Sequence, residues 1–290
     1  MATPTAPTTF PRPGAAPSDL AVPAPRRGDQ RWAGAPTAVV DDDGAIVLAH
    51  RLRDADGDRV SIARSLDGVR CAPVVTITAR DLGVAMVERA APVRTQAGWR
   101  LYVSCAEPGT RRWWIGLLEA PALDALRGAS LRRLVLGGPL DAVKDPVVHR
   151  TSDGGWEAWV CCHPLDVAGA EDRMSTAYAT SADGVTWRWH GTVLGGRPGT
   201  WDARGARVTS VLPDGRACYD GRASAEENWL ERTGLADPVE GSRALRAHDG
   251  DPVADVRYLD VLPLPGGGHR LYYEARRPDG AHELRTELHI

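Results

Sequence analysis

The amino-acid sequence predicts an all-β fold, a five-bladed β-propeller whose ring closes with an N-terminal strand. Three observations lead there. Short apolar runs are separated by Asp-Gly pairs, at residues 43–44, 67–68, 153–154, 183–184, 214–215 and 279–280, the commonest short-range signal of a β-hairpin. One strand type recurs five times, at residues 45–50 (AIVLAH), 100–105 (RLYVSC), 157–162 (EAWVCC), 216–221 (RACYDG) and 270–275 (RLYYEA). About twelve residues before the second and third copies stand Glu88 and Asp145, and further steps of the same 57 residues reach Asp202 and then Leu259. A repeat of that length holds three or four strands, which is one propeller blade, and five of them make a small ring.

The elements follow in order. Residues 1–17 are rich in Ala, Pro and Thr and are expected to be a disordered leader, in which Phe10 has no evident role. Residues 18–290 form one propeller domain. Only 33 residues remain from position 258, too few for a whole blade, so residues 19–23 are expected to supply its outer strand. Helical spacing appears only around residues 120–126. In the turns at 63–69 and 179–187, Ser and Asp are placed to bond turn backbone.

Composition bounds the function. A chain of 290 residues with 43% hydrophobic and 25% charged content builds an ordinary core. Its apolar runs are too short for a membrane span or a secretory leader, and its five Cys lack C-x-x-C spacing, so a reduced, cytoplasmic protein is expected. A net charge of -3 with no basic block argues against nucleic acid. The eight His show no metal spacing and the glycines form no phosphate loop, so no cofactor is expected, and the partner is a small-molecule substrate. A GC-rich coding bias is suggested by 34 Arg against a single Lys, Lys144, and a single Asn, Asn228. Under such a bias a surviving Lys points to chemistry that Arg cannot do, since Lys loses its proton far more readily.

In a propeller the first strand of each blade lines the central channel, so residues one repeat apart meet in space. Glu88, Asp145 and Asp202 would form a carboxylate ring, with Lys144, Arg89 and Arg204 beside them. Paired carboxylates suit glycoside cleavage, one protonated and one ionised. The same acids read equally as structural ion pairs with the adjacent Arg. A second dense segment, residues 219–234, has the polar content of a pocket rim. There Tyr219, Asp220, Arg222 and Asn228 are candidates to bond sugar hydroxyls and Trp229 to stack on a sugar ring, or else the loop is braced by Arg-Glu pairs. Glu274 aligns with Asp220 one blade later, and Trp32 opens the first blade as a further substrate-binding candidate.

Residues 144–148 (KDPVV), Asp153-Gly154, Trp159-Val160, 180–187 (TSADGVTW) and 191–194 (GTVL) together resemble a blade of the five-bladed propeller glycosidases. These comprise the arabinanases and xylosidases of glycoside hydrolase family 43, the invertases and levansucrases, and the mannoside phosphorylases. The resemblance covers roughly residues 30–290 and is strongest in the third blade. It implies that Asp145 tunes the pKa of the acid and that a carboxylate opening the fourth blade, Asp202, is the acid. The family's base, an Asp opening the first blade, is absent, because residues 31–36 read RWAGAP. Either Glu88 replaces it, or the chemistry differs. Mannoside phosphorylases use phosphate instead, for which Arg31, Arg89 and Arg204 would serve. The expected function is therefore a glycoside hydrolase-like enzyme acting on a small glycoside. The alternatives are dehydration or elimination on a small metabolite with Lys144 moving the proton, and a non-catalytic sugar-binding propeller.

Overall fold

The structure is a computed structural model that describes residues 10–110 and 112–290. Nearly every element is a strand. The first is β1 (Ser18–Val22), and four meanders of four strands follow it. They are β2 (Trp32–Val40) to β5 (Ala72–Thr78) through β3 (Ile46–Asp54) and β4 (Gly57–Ser65), and β6 (Met86–Thr95) to β9 (Arg132–Arg133) through β7 (Gly98–Ala106) and β8 (Trp113–Ala120). Next come β10 (Asp141–Arg150), β11 (Trp156–Pro164), β12 (Ser175–Ser181) and β13 (Arg188–Gly195), then β14 (Gly205–Val211), β15 (Ala217–Arg222), β16 (Arg232–Pro238) and β17 (Leu245–Ala247). Last are β18 (Arg257–Pro263), β19 (His269–Arg276) and β20 (His282–His289).

These strands form four-stranded antiparallel sheets in a propeller-like arrangement. The last three strands take β1 as a fourth, with Ser18 opposite Glu287 and Val22 opposite Leu284, so residues 18–22, against the expected 19–23, pair with the last strand. One parallel bridge, Trp32 to His282, joins this unit to β2–β5. The first strands touch in cyclic order, β2 to β6 to β10 to β14 to β18 and back to β2. Between neighbouring sheets lie the apolar cores. In one of them Val47, Val60 and Ile62 face Leu101, Val103 and Leu118.

The sequence repeats prove to be contacts between units. Tyr102 donates its hydroxyl to the Gly184 carbonyl at 2.9 Å, and Tyr272 donates to the Gly68 carbonyl at 2.8 Å, so these two Asp-Gly turns each sit on a tyrosine of a neighbouring unit. Gly184 has φ +72, and a Cβ there would lie 2.7 Å from the Tyr102 hydroxyl, which is why no other residue fits. Within the turns Asp67 accepts from Val69 and Arg70, and Asp183 accepts from Val185 and Thr186, all at 2.7–2.9 Å. Those backbone donors lower both carboxyls to about 2.

Two expectations need correction. Of the leader expected to be disordered through residue 17, residues 1–9 lie outside the described residues, but Phe10 is 8% exposed and packs on Leu212, Leu259 and Val261. Glu287 holds the chain beyond it by accepting from the backbone of Gly14 and Ala16. The helical spacing at 120–126 gives only a 3-10 turn at Asp124–Gly128, because Ala120 still ends β8 and Pro121 follows it. The one α-helical turn among the described residues is Ala79–Leu82, fixed by reciprocal hydrogen bonds between Thr78 and Asp81. Among the described residues no helix is long and apolar enough to cross a membrane.

Candidate active site

Each first strand carries a β-bulge, in which two residues face one on the second strand. Pairing fixes the alignment: Gly34 faces Arg51, Val87 faces Cys105, Lys144 faces Cys161, Arg207 faces Asp220, and Arg257 faces Glu274. The residues that follow are Ala35, Glu88, Asp145, Val208 and Tyr258. Three of them are in the left-handed region, at φ 50 for Ala35, 54 for Asp145 and 51 for Tyr258. Such backbone is costly for a non-glycine residue and persists where the surroundings enforce it.

The bulges bring Glu88, Lys144, Asp145 and Tyr258 together. Lys144 Nζ lies 2.6 Å from Glu88 Oε2 and 4.0 Å from Asp145 Oδ2. Arg207 bonds Asp145 at 3.0 Å, Asp220 at 2.7 Å and the Tyr258 hydroxyl at 2.7 Å, and that hydroxyl is 3.2 Å from Asp145. Arg51 joins Glu88 at 3.1 Å to Glu274 at 3.4 Å. Glu274 also takes Arg257 and the His282 ring, and Glu231 takes Arg222 at 2.8 Å and Arg257 at 2.7 Å. A cavity of about 410 Å³ opens over this cluster, lined among others by Arg51, Glu88, Lys144, Arg207, Glu231 and Tyr258.

Burial raises the cost of every charge here, yet the cations outweigh it at most sites. Lys144, Arg51 and Arg53 hold Glu88 well below the usual carboxylate range. Arg257, His282 and Arg51 likewise hold Glu274 low, and Arg257, Arg207 and Arg222 bring Glu231 to about 2. For Asp220 burial wins over Arg207, and its carboxyl is raised.

The remaining expected residues are placed as follows. Asp202 stands apart from the cluster. From Lys144 to Arg207 the interval is 63 residues, six more than the 57-residue step, because an extra turn precedes β14. The position opening the fourth unit is Val208 with Arg207 before it, while buried Asp202 is tied to Arg197 at 3.0 Å, Thr200 and the Tyr219 hydroxyl at 2.8 Å. Tyr219 stacks on Trp201 and belongs to the core between sheets. Asp220 and Arg222 are buried ends of β15 and not a rim loop, and Glu274 does occupy the equivalent place in β19. Asn228 accepts from Arg222 at 2.6 Å.

Trp229, at φ 71 and 44% exposed, lines the cavity at 5.5 Å from Trp32, which is itself buried beneath the guanidinium groups of Arg51 and Arg53. The three arginines expected to hold phosphate are not brought together. Arg89 is buried, bonding Thr37 at 3.1 Å and the Thr209 carbonyl, Arg204 pairs with Asp172 at 2.6 Å, and Arg31 bonds the Gln30 carbonyl at 3.2 Å.

Sequence reasoning missed Arg51, Arg207, Glu231, Arg257, Tyr258 and His163. The first residue of the bulge motif is basic in three consecutive units, Lys144, Arg207 and Arg257, and alignment by hairpin pairing would have found the last two. His163 lines the cavity and bonds the Glu171 carbonyl through Nδ1 at 2.8 Å, so Nε2 carries its lone pair. Burial and the Lys144 charge lower it to about 4, and it is neutral at pH 7. No group of three or more potential ligands converges for a metal among the described residues.

No family model and no curated protein matches the chain. Solved structures do. A thermostable family-43 glycoside hydrolase superposes with TM-score 0.66 at 12% identity, covering 91% of each chain. An alpha-L-arabinofuranosidase from Lactobacillus brevis gives 0.67 at 14%, covering 88% of this chain and 90% of that one. A beta-1,2-mannobiose phosphorylase from Listeria innocua, in complex with beta-1,2-mannobiose, gives 0.65 at 13%, covering 88% of each. The fold is that of the five-bladed propeller glycosidases.

Proposed function

We propose that this chain is a glycoside-processing enzyme, a five-bladed propeller closed by β1, that binds a small glycoside in the 410 Å³ cavity and delivers the proton from Lys144. The observation that carries this reading is the Lys144–Glu88 pair at 2.6 Å beside the Asp145–Tyr258–Arg207 cluster, all on one ring of bulges. Asp145 keeps the third-unit position that the resemblance assigns to a pKa-tuning acid. The base and acid positions of that resemblance hold Ala35 and Val208, so the two-carboxylate route has neither partner.

In this reading the Lys144 ammonium donates to the glycosidic oxygen as the bond to the anomeric carbon breaks and its electron pair goes to the departing oxygen. The fixed negative charge of Asp145, relayed through the Tyr258 hydroxyl, favours the positive charge developing on the sugar. Water or phosphate then bonds the anomeric carbon. If water attacks, the proton it loses passes to the Lys144 amine and restores the ammonium, which Glu88 holds in place by its ion pair. Mixed surface charge and five free cysteines support a reducing, cytoplasmic setting with no nucleic-acid partner.

A second reading, a non-catalytic sugar-binding propeller, is favoured by Ala35 and Val208 and by the low carboxyls of Glu88, Glu231 and Glu274, none of which donates a proton at pH 7. The test is incubation with aryl glycosides and disaccharides, with and without inorganic phosphate. Released reducing sugar marks hydrolysis and a sugar phosphate marks phosphorolysis. Calorimetric binding without turnover would replace the enzyme by the binder.

A further inference from the structure

A second, larger cavity of about 890 Å³ lies at the other end of the first strands. The cavity over the charge cluster is lined by the beginnings of these strands, such as Glu88, Lys144 and Arg257. The larger one is lined by their far ends, from Thr37, Val147, Ser210 and Asp260 onward. Buried Tyr258 and Arg89 fill the space between them, the guanidinium lying 5.9 Å from the ring centre.

The floor of this cavity holds a carboxylate with unused acceptor capacity. Asp260 is 6% exposed, and its Oδ2 accepts the Ala38 N–H at 2.8 Å. Among the described residues its Oδ1 has only an ion pair at 3.6 Å with Arg89, whose Nη1 has no hydrogen-bond partner. Burial is the dominant influence on this carboxyl and raises it to about 6. Strongly perturbed acids facing a cavity concentrate at functional sites. One wall is aromatic, with Trp159 at 5.3 Å from Tyr178 and 5.5 Å from His149. Since Arg89 already offsets the charge of Asp260, the floor calls for a neutral hydrogen-bond donor and not for a second cation. A ring with an apolar face and several hydroxyls meets both surfaces.

We propose that the far mouth of the channel is a second binding site, for a neutral sugar ring whose hydroxyl donates to Asp260 Oδ1. It is independent of the function proposed for the first cavity. The test titrates the full chain with the methyl glycosides of glucose, mannose, xylose and arabinose, by calorimetry and ligand-observed NMR. Asp260→Asn keeps the shape and removes the anionic acceptor, and is expected to weaken binding about 10- to 100-fold, the range for a hydrogen bond to a charged group. Ser242→Trp blocks the rim without touching Asp260, so it keeps the test valid if the first variant folds poorly. Trp229→Ala, on the opposite cavity, is expected to leave this binding unchanged. Binding that survives both Asp260→Asn and Ser242→Trp when each is combined with Trp229→Ala, binding abolished by Trp229→Ala alone, or no binding of any of the four probes would overturn the proposal.

Discussion

Replacing Arg207 by Met should destabilise the chain in a pH-dependent way. Arg207 is the cation shared by Asp145 at 3.0 Å and Asp220 at 2.7 Å, all three side chains being buried. Removing one partner of a buried ion pair costs about 3–5 kcal/mol. Two carboxylates lose a partner here, but each retains another, Asp220 the Tyr258 N–H at 3.0 Å and Asp145 the ammonium of Lys144 at 4.0 Å. The lower end, about 3 kcal/mol at pH 7, is therefore expected, a large share of a typical total of about 5–15 kcal/mol. Burial already raises the Asp220 carboxyl, and loss of Arg207 raises it further. An acid whose folded pKa exceeds its unfolded value is favourable when protonated, and that advantage is lost as pH rises from the unfolded to the folded value. The deficit should thus be small at pH 4.5 and grow toward pH 7.5. Urea denaturation followed by tryptophan fluorescence and far-ultraviolet circular dichroism at both pH values measures it. A deficit under about 1 kcal/mol at pH 7.5, or one independent of pH, would refute the shared-cation argument.

Lys144→Arg keeps the charge and the Glu88 pair but replaces the ammonium by a guanidinium, which does not give up a proton, so turnover should fall about 100-fold or more with the fold intact, and full turnover would take Lys144 out of the mechanism. Asp202→Asn should lower the melting temperature through its bonds to Arg197 and Tyr219, yet leave kcat/KM unchanged once the protein is folded. Gly34→Ala would put a Cβ 1.7 Å from Glu274 Oε2, so Glu274 must leave Arg51 and Arg257, with loss of ligand binding as well as stability. Deleting residues 1–22 strips β1 from β20 and exposes a strand edge, and should cost more in melting temperature than Phe10→Ala alone; equal losses would deny β1 a closing role.

Hairpins, their Asp-Gly turns and the recurring strand are local features, and residues within one hairpin of each other determine them. That is why the sequence alone yields the sheets and the match between Asp220 and Glu274, whereas the expectation for residues 19–23 comes from the shortfall of chain in the last unit and not from any local pattern. The sequence also yields the meeting of Glu88, Lys144 and Asp145, because their two units have equal spacing. The fourth unit breaks that spacing by six residues, a length that a surface turn absorbs at little cost, so counting placed Asp202 where Val208 stands. Phe10 looked idle for a similar reason: its pocket comes from Leu212, Leu259 and Val261, about 200–250 residues away. Only the tertiary structure decided the state of the site. Whether a buried acid is ionised depends on guanidinium groups from other sheets, as with Arg51 on Glu88 and Arg257 on Glu231, and no pattern within one strand records which charges the folded ring will bring within 2.7–3.1 Å of each other.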